Sequence, residues 1–391
     1  MFIPKKEINY SKQNINTSDL KEIKKVLFSD YLTQGPKVQQ FEKKINIYCK
    51  SKYSVACNSA TSALHIACKA IGLKKNDLVW TNPISFVASA NCALYCGAKV
   101  DYVDIDLDRF NITFENFKKK IEKAKKIKLP KLLIIVDYGG FPCDLDKIYK
   151  LAKKNKINVI QDSSHAFGAK YKKTKVGSCA YSDITVFSFH PVKIITTGEG
   201  GMAVCNNEEI HKKLSKLRSH GITKNKKKFQ APNNDPWYYE MQELGYNYRI
   251  TDLSCALGIS QLKRLDQIIK ERNILYKYYE SLLQDLPVRL LQIPNDVKSS
   301  VHLGIIRLNR NDKEFYRKVF NTFRKNNIGV QLHYNPVHLQ PYYKKRGFKI
   351  GDFPISEKYS IDAISLPLFP QIKYNEIDRV IKCLKSALID Y

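Results

Sequence analysis

Along the chain, apolar residues change repeatedly between two spacings, and these spacings predict strands and helices in alternation. Short runs rich in β-branched and aromatic residues predict strands at 53–57, 78–81, 100–105, 132–136, 157–161, 185–188 and 202–205. Between them, apolar residues spaced by three and four positions predict helices at 58–70, 86–96, 114–124, 145–153 and 208–217. This alternation favours an α/β fold with a mostly parallel mixed sheet that is flanked by helices.

Further elements are predicted on both sides of this alternating region. Two helices precede it, at 17–27 and 38–48, and one long amphipathic helix begins at Thr251 and Asp252 and continues through Ile269. A second α/β unit follows, with strands predicted at 288–293, 303–308 and 330–334 and helices at 313–325 and 375–388.

These elements predict two domains. We expect an N-terminal segment with a large domain over residues 1–250, and a linking helix with a smaller C-terminal α/β domain over residues 251–391. The segment 221–243 is basic and polar and has no regular apolar spacing. It is therefore predicted to be irregular, as a mobile loop or an oligomer contact.

The formal net charge of +29 comes from 66 Lys and Arg against 37 Asp and Glu. Such a charge is compatible with a nucleic-acid binder. The lysines, however, are spread over the chain, with local runs at 118–131, which has the spacing of a solvated helix face, and at 224–228. No helix-turn-helix, zinc-finger or RNA-binding pattern accompanies them, so nucleic-acid binding is disfavoured. The charge is interpreted as lysine bias and attraction for anionic substrates.

Cysteine spacing and hydropathy exclude several further classes. The ten cysteines are scattered singly without a CxxC pair, so neither a metal site nor a disulfide framework is predicted. Charged residues at 5–7 interrupt any N-terminal apolar run, and no window approaches the roughly 18 apolar residues of a membrane span. We expect a cytoplasmic protein without a membrane partner.

The residues with chemical potential follow the predicted strands, where an open α/β sheet binds its ligands. Lys193 lies in the stretch TVFSFHPVKIITTGEGG, in which small, flexible neighbours favour a desolvated, nucleophilic amine. Asp162 directly follows an apolar strand, where an acid can keep a heteroaromatic nitrogen protonated. Thr61 and Ser62 lie at a helix start, where free N–H groups favour a phosphate.

Each of these residues also has an ordinary structural interpretation. Lys193 is compatible with a surface lysine, and Asp162 with a cap or turn residue. Thr61 and Ser62 are compatible with a plain N-cap, and Phe86, a candidate ring plate, with simple packing. Together, at the ends of successive strands, a lysine, an acid, a phosphate cup and an aromatic plate meet the requirements of pyridoxal 5′-phosphate.

Motifs from about Tyr10 to the C-terminus resemble those of one family. They are YLTQGP, NSATSALHIA, PISFVASAN, DYGG, QDSSHAFGA, FSFHPVKIITTGEGG, LRSHG, GYNYRITDLSCALGISQL and VQLHYNPVH. With these motifs the chain resembles the DegT/StrS-type sugar aminotransferases, a branch of the fold-type I pyridoxal-phosphate enzymes. Some members carry histidine in place of the lysine and act as dehydratases, so the presence of Lys193 favours transamination.

The resemblance implies a role for each matching residue. Lys193 would be the catalytic residue and would bind the cofactor covalently. The other cofactor contacts would come from the Ala60 amide, Thr61, Ser62 and Ser188 at the phosphate and from Phe86, Asp162 and His165 at the ring. Asn247 would reach the cofactor of the other subunit, which implies a homodimer with shared active sites.

The details NSATSAL, PISFVA, DSSHA and LHYNP most resemble the family members that act in pseudaminic acid synthesis. Those enzymes aminate C4 of a UDP-linked 4-keto-6-deoxy-N-acetyl-hexosamine. L-Glutamate would be the amino donor, and Arg249 is the one candidate for its carboxylate. The implied substrate contacts are Tyr10, Tyr31, Leu32, Thr33, Ala60, His333, Tyr334 and Asn335.

Three alternatives stay open at this point. The first is an aminotransferase for another nucleotide-linked keto sugar. The second is a sugar dehydratase that depends on pyridoxamine phosphate. The third is a regulatory or nucleic-acid-binding protein that has kept the fold, although intact Lys193, Asp162 and Thr61 argue against it.

Overall fold

The computed structural model describes residues 6–124, 128–310 and 312–389. Its α-helices in chain order are α1 Thr17–Leu27, α2 Pro36–Cys49, α3 Ala60–Ala70, α4 Ala88–Tyr95, α5 Phe114–Ala124, α6 Leu145–Lys154, α7 Glu208–Arg218, α8 Asp252–Leu262, α9 Leu265–Leu283, α10 Lys313–Lys325, α11 Pro341–Lys344, α12 Pro354–Tyr359 and α13 Tyr374–Ile389. Its strands are β1 Tyr53–Cys57, β2 Leu78–Thr81, β3 Lys99–Tyr102, β4 Leu132–Val136, β5 Asn158–Asp162, β6 Lys170–Tyr171, β7 Thr174–Lys175, β8 Ile184–Ser188, β9 Gly201–Cys205, β10 Ile222–Thr223, β11 Glu240–Met241, β12 Val288–Leu290, β13 Val297–Lys298, β14 Gly304–Leu308 and β15 Ala363–Leu366.

The central sheet has seven strands within the described residues, in the order β1-β9-β8-β5-β4-β2-β3. Neighbours from β8 through β3 pair in parallel, whereas β9 runs antiparallel to both β1 and β8. Strands β4 and β8 are buried at every position, which is typical of a sheet covered on both faces. The predicted α/β fold with a mostly parallel mixed sheet is confirmed.

Successive residues of the central strands pack into different cores. Ile134 and Ile160 pack on one face, in a core that includes residues of α3, α4 and α7. Leu133 and Val159 pack on the other face, with residues of α5 and α6. The side chains of a strand alternate between its two faces. This pattern therefore fixes which residues of each strand face which layer of helices, and with them the register of the sheet.

A second sheet, β12-β14-β15, is antiparallel and shares a core with α9, α10 and α13. Val136 at the end of β4 and Tyr138 belong to the same core. The C-terminal sheet therefore packs against the carboxyl end of the central strands. The division between residues 250 and 251 stays a prediction.

The prediction of one long helix after Thr251 is wrong. The structure has two helices, α8 and α9, separated at Lys263 and Arg264. The Arg264 guanidinium donates to the buried Asp19 carboxylate at 2.7 Å, and the Gln261 side chain donates to the same oxygen at 2.7 Å. These contacts with α1 stabilise the break between the two helices at a place where the apolar spacing continues without interruption.

The strand predicted at 330–334 is also wrong. In the described residues this segment makes one isolated antiparallel bridge, between Gln331 and Ser365. The carbonyl of His333 accepts hydrogen bonds from the hydroxyls of Tyr138 and Tyr359 instead of from a neighbouring strand. The third strand of this sheet is β15, which the apolar spacing did not indicate.

The segment 221–243 is largely irregular, as predicted. It contains the short β10–β11 pair and a 3₁₀ turn at Lys226–Lys228. The Glu240 carboxylate accepts from the amides of Gln230 and Ala231, which holds this loop together.

The lysine run predicted as a solvated face over 118–131 begins on α5, whose Phe117 and Ile121 are buried. Residues 125–127 of this run lie outside the described residues. Among the described helices, none combines the length and the apolar character that crossing a membrane requires.

Candidate active site

A compact loop after β8 carries Lys193. The loop begins after β8 and ends before β9. The Phe189 amide at its start donates to the Gly200 carbonyl at its end, at 2.9 Å. Within it, the Thr197 amide donates to the Phe189 carbonyl at 3.0 Å and the Lys193 amide to the His190 carbonyl at 2.9 Å. These bonds hold the lysine at the carboxyl end of β8, on the edge where β4 and β5 also end.

The surroundings of Lys193 weaken its basicity. Burial lowers the pKa of Lys193 to about 8, and the negative charge of Asp162 opposes this shift. Burial acts in this direction because the charged ammonium loses more hydration than the neutral amine. A larger fraction of this amine is therefore neutral and nucleophilic near pH 7 than for an ordinary lysine.

Asp162 is the last residue of β5, and 5% of its surface is exposed. Its Oδ2 accepts a hydrogen bond from Ser89 Oγ at 2.6 Å. Its Oδ1 accepts from the amide and the hydroxyl of Ser164, at 3.1 and 2.5 Å. Three donors thus fix this carboxylate next to Lys193, and hydrogen bonds of this kind are strong because the acceptor is ionised.

The start of α3 and the end of β8 meet around Gly201. The sheet register pairs Gly201 with Ser188 of β8 and with Cys57 of β1. A Cβ at Gly201 would lie 2.5 Å from the Ala60 nitrogen, so a glycine is required for the helix to approach this closely. The first amides of α3, those of Ala60 and Thr61, have no acceptor within the helix, and with Ser188 they form a cup suited to an anion.

Ser62 supports the turn before this cup, and its contact with a cofactor stays a prediction. Its amide donates to the N-cap hydroxyl of Ser59 at 3.1 Å. Its own hydroxyl donates to Asn58 Oδ1 at 2.7 Å and lies 2.9 Å from Ser59 Oγ. The side chain is buried and thus holds the preceding turn in place.

His165 is a further buried side chain of the site, and its ring packs with those of Tyr138, His302 and Tyr334. The Gly139 amide donates to His165 Nδ1 at 3.2 Å, so in the neutral ring Nε2 carries the hydrogen. Nε2 lies 3.3 Å from the Tyr334 hydroxyl. Burial, reinforced by the charge of Lys193, holds the pKa of His165 well below its ordinary value. This imidazole is therefore a neutral donor at physiological pH.

Tyr10, His333 and Tyr334 lie together near this histidine. The rings of Tyr10 and His333 are 5.5 Å apart, and those of His333 and Tyr334 are 5.0 Å apart. Burial lowers the pKa of His333 to about 3, and the charge of Lys193 adds to the effect. Phe86 lies 6.0 Å from the Tyr334 ring and is 57% exposed, so one of its faces is open.

Other predicted substrate contacts are exposed on the surface of the chain. Tyr31 and Leu32 are 55% and 49% exposed, and the Leu32 carbonyl accepts from the first amide of α8 at 2.9 Å. Thr33 pairs with the residue that precedes α8, and Asn335 is exposed. Within the described part of the chain, no hydrogen bond or ring contact joins these four residues to Lys193.

Asn247 is exposed and pairs with Ser219. Two residues later, Arg249 pairs with Cys57 at the end of β1. The segment that carries Asn247 therefore runs beside the start of α3. Arg249 is partly exposed in this position.

Two buried groups near the site were missed. The His302 ring lies 4.5 Å from that of His165, and no pattern in its segment indicates a role. Asp137 follows β4 and is fully buried. Burial raises the pKa of Asp137 to about 7, although hydrogen bonds from Ser163 and Gln161 oppose the shift. Its position directly after an apolar strand is the signal that pointed to Asp162, so the same reasoning could have found it.

The chain belongs to the DegT/DnrJ/EryC1/StrS aminotransferase family, whose pattern matches residues 13–385. A relative from Campylobacter jejuni, UDP-4-amino-4,6-dideoxy-N-acetyl-beta-L-altrosamine transaminase, is 42% identical over 345 residues, which cover 86% of each protein. The uncharacterized protein MJ1066 of Methanocaldococcus jannaschii is 37% identical over 377 residues, or 96% of each protein. The predicted family is confirmed.

Solved structures give the same result. Helicobacter pylori PseC, an aminotransferase involved in the biosynthesis of pseudoaminic acid, matches with a TM-score of 0.89 and 29% identity, over 99% of this chain and 100% of that one. The PMP form of Spr1654 from Streptococcus pneumoniae matches with a TM-score of 0.90 and 28% identity, over 98% of this chain and 99% of that one.

Proposed function

We propose that the chain is a pyridoxal-phosphate-dependent aminotransferase. It transfers an amino group from L-glutamate to C4 of a UDP-linked 4-keto-6-deoxy-N-acetyl-hexosamine. The observation that carries this proposal is the meeting of Lys193, Asp162 and the start of α3 at one edge of the central sheet. Membership of an aminotransferase family supports the reaction class, and the name of the Campylobacter relative supports the substrate.

The residues at this edge fit pyridoxal phosphate. The Asp162 carboxylate is buried and held by three donors, as a partner for a pyridine nitrogen must be. Gly201 leaves open the space that a Cβ would fill beside the Ala60 amide, where a phosphate would bind. Lys193 supplies the amine for covalent attachment, and the neutral His165 would donate to the ring hydroxyl.

The cofactor, when bound, supplies an electron sink for negative charge that develops beside the transferred nitrogen. Lys193 Nζ then takes a proton from the α-carbon of glutamate and later returns one to the sugar carbon, as base and as acid. Its lowered pKa suits both roles near neutral pH. Ser89 and Ser164 hold Asp162 at the position where its negative charge keeps a ring nitrogen protonated.

Tyr10, His333 and Tyr334 are the proposed sugar contacts. Their position next to His165 supports this assignment, since the keto carbon must reach the Lys193 amine. The net charge of +29 would favour the approach of the diphosphate. Ala60 would contact the substrate as well as the cofactor.

We further propose that the enzyme is a homodimer with shared sites. Asn247, Tyr31, Leu32 and Thr33 are all exposed on the single chain, which supports contacts across a subunit boundary. In a two-fold arrangement each chain would supply these residues to the site of the other. The cytoplasmic location stays a prediction.

Incubation of the purified enzyme with L-glutamate and a panel of UDP-linked 4-keto sugars tests this function, with NMR to locate the new amine. The expected product carries nitrogen at C4 of the N-acetylated 6-deoxy sugar and forms with an equal amount of 2-oxoglutarate. A product that has lost a hydroxyl without gaining nitrogen would identify a dehydratase. Amination of a different keto sugar would correct the substrate but keep the reaction class.

A further inference from the structure

Three cysteines meet where α3 packs against α4, behind the candidate active site. Cys68 and Cys92 are fully buried, and their sulfur atoms are 3.7 Å apart. Cys96 directly follows the last residue of α4, one helical turn after Cys92, so the two lie on the same side of the helix. Cys96 is partly exposed and can therefore meet a small solute.

The environment of Cys96 favours its thiolate. The neighbouring Cys68 thiol, followed by His65, lowers the pKa of Cys96, although burial opposes the shift. His65 is 5% exposed, and its Nε2 has no hydrogen-bond partner among the described residues. A buried nitrogen without a partner costs free energy unless an acceptor approaches it, and a thiolate or an oxidised sulfur would serve as one.

We propose that Cys96, Cys68 and Cys92 form a thiol relay that reacts with hydrogen peroxide and ends in a Cys68–Cys92 disulfide. In the first step the Cys96 thiolate attacks one oxygen of the peroxide, and the O–O bond breaks. Cys96 becomes a sulfenic acid, and the released hydroxide takes up a proton to form water.

The second step joins Cys68 to Cys96. The Cys68 sulfur attacks the Cys96 sulfur, an S–S bond forms, and the hydroxyl group leaves as water with the proton of Cys68. In the third step the Cys92 sulfur attacks the Cys68 sulfur, a Cys68–Cys92 bond forms, and the Cys68–Cys96 bond breaks so that Cys96 leaves as the thiolate. The proton of Cys92 is released to water and balances the proton that the hydroxide took up in the first step. The two thiols of Cys68 and Cys92 are thereby oxidised, and one peroxide is reduced to two waters.

The third step is favoured by geometry and by the leaving group. Cys92 already touches Cys68, and a thiol of low pKa is the better leaving group in thiol–disulfide exchange. The final bond requires the sulfurs to move from 3.7 Å to about 2.05 Å, which draws α3 and α4 together.

This movement reaches the active site through both helices. Helix α3 begins with Ala60 and Thr61 at the anion cup, and α4 carries Ser89, which donates to Asp162 at 2.6 Å. A displacement of about 1 Å in a catalytic group can slow a reaction by up to about a hundredfold. Oxidation should therefore slow transamination reversibly, and this consequence rests on the proposed function.

Peptide mapping of the holoenzyme tests the relay. The reduced enzyme is treated with hydrogen peroxide, free thiols are blocked with N-ethylmaleimide, and digested peptides are identified by mass spectrometry. We expect a peptide pair joined through Cys68 and Cys92 that dithiothreitol separates. Cys96→Ser should slow its formation on the order of tenfold, because the entry thiolate is gone. Cys92→Ser should accumulate the Cys68–Cys96 pair instead.

Cys179→Ser is the matched control, because Cys179 is also partly exposed but burial raises its pKa. This variant should form the disulfide at the wild-type rate. The relay is refuted if peroxide gives no peptide linked through Cys68, or if Cys96→Ser forms the bond as fast as the wild type. Thermal unfolding of each reduced variant shows whether it is folded.

Transamination rates measured on the same samples test the link to the active site. The wild-type rate should fall on the order of tenfold on oxidation and recover with dithiothreitol, whereas Cys68→Ser should keep its rate. A disulfide that leaves the wild-type rate unchanged overturns this link. The peptide map decides the relay even for an enzyme without transaminase activity, so failure of the relay and failure of the proposed function are distinguishable.

Discussion

Replacement of Gly201 by alanine should damage the proposed phosphate cup more than its small size suggests. The added Cβ would lie 2.5 Å from the Ala60 nitrogen and 2.5 Å from the carbonyl carbon and oxygen of Ser59, where ordinary contacts begin at 3.4 Å. All three neighbours are backbone atoms, so no flexible side chain can move aside. The start of α3 or the end of β9 must therefore shift.

The expected magnitude follows from two effects. Overpacking of this kind costs about 1–3 kcal/mol of stability. The interaction of a helix N-terminus with an anion contributes up to about 2 kcal/mol, so loss of half or all of it weakens phosphate binding by about 5-fold to 30-fold. Titration of the apoprotein with pyridoxal phosphate, followed by absorbance, measures the affinity, and thermal unfolding measures the stability.

Gly304→Ala provides the matched control. Gly304 is also the first residue of a strand, β14, but its Cβ would have no neighbour closer than 3.7 Å. This variant should bind the cofactor as the wild type does. If Gly201→Ala binds pyridoxal phosphate with wild-type affinity and melts at the same temperature as the wild type, the assignment of the phosphate to this cup is refuted.

Further predictions concern the site. The rate of cofactor uptake by the apoprotein should rise with pH and level off above about pH 8, because uptake needs neutral Lys193. A rate that still rises near pH 10.5, the ordinary pKa of a lysine, would contradict the lowered pKa of Lys193. Asp162→Asn should move that midpoint to lower pH, because the Asp162 charge raises the pKa of Lys193. Ser89→Ala should reduce kcat about tenfold or more in steady-state assays, with little change in KM for glutamate. The reason is that a hydrogen bond to a charged group contributes about 1.5–3 kcal/mol. An unchanged kcat would argue against a role for Ser89. Asn247→Ala should weaken cofactor binding. Mixed dimers of Asn247→Ala and Lys193→Ala chains should regain part of the activity, and absence of activity in well-mixed heterodimers would count against shared sites.

The elements that the sequence predicted best are those whose burial pattern is simple. The strands at 53–57, 78–81 and 132–136 and the helix at 114–124 have the predicted bounds. A strand covered on both faces is a continuous apolar run, and an amphipathic helix has a clear apolar stripe, so local spacing is sufficient to identify them.

The errors have causes far away in the chain. The apolar spacing continues across Arg264, and the break there depends on the carboxylate of Asp19, which lies 245 positions earlier. The segment around His333 has the composition of a strand, but hydroxyls from Tyr138 and Tyr359 take its carbonyl. Local propensity cannot foresee partners of this kind.

For the candidate site, the residues at strand ends could be predicted from the sequence. The side chains that hydrogen-bond to them or pack against them could not. Lys193 and Asp162 follow recognisable strands, and parallel strands bring such residues to one edge. The donor to Asp162, Ser89, lies on a helix 73 positions earlier, and nothing in its own neighbourhood distinguishes it. The imidazole of His302 reaches His165 through a loop without any regular pattern.

The proposed function depends most on covalent binding of the cofactor to Lys193. Reduction of the holoenzyme with borohydride, followed by peptide mapping, tests it most directly, with Lys175→Ala as control because burial lowers the pKa of Lys175 as well. We predict that the pyridoxyl label is found on Lys193, that Lys193→Ala takes up no label, and that Lys175→Ala is labelled like the wild type. A label on another lysine, or full turnover by Lys193→Ala, would show that the cofactor does not bind through Lys193.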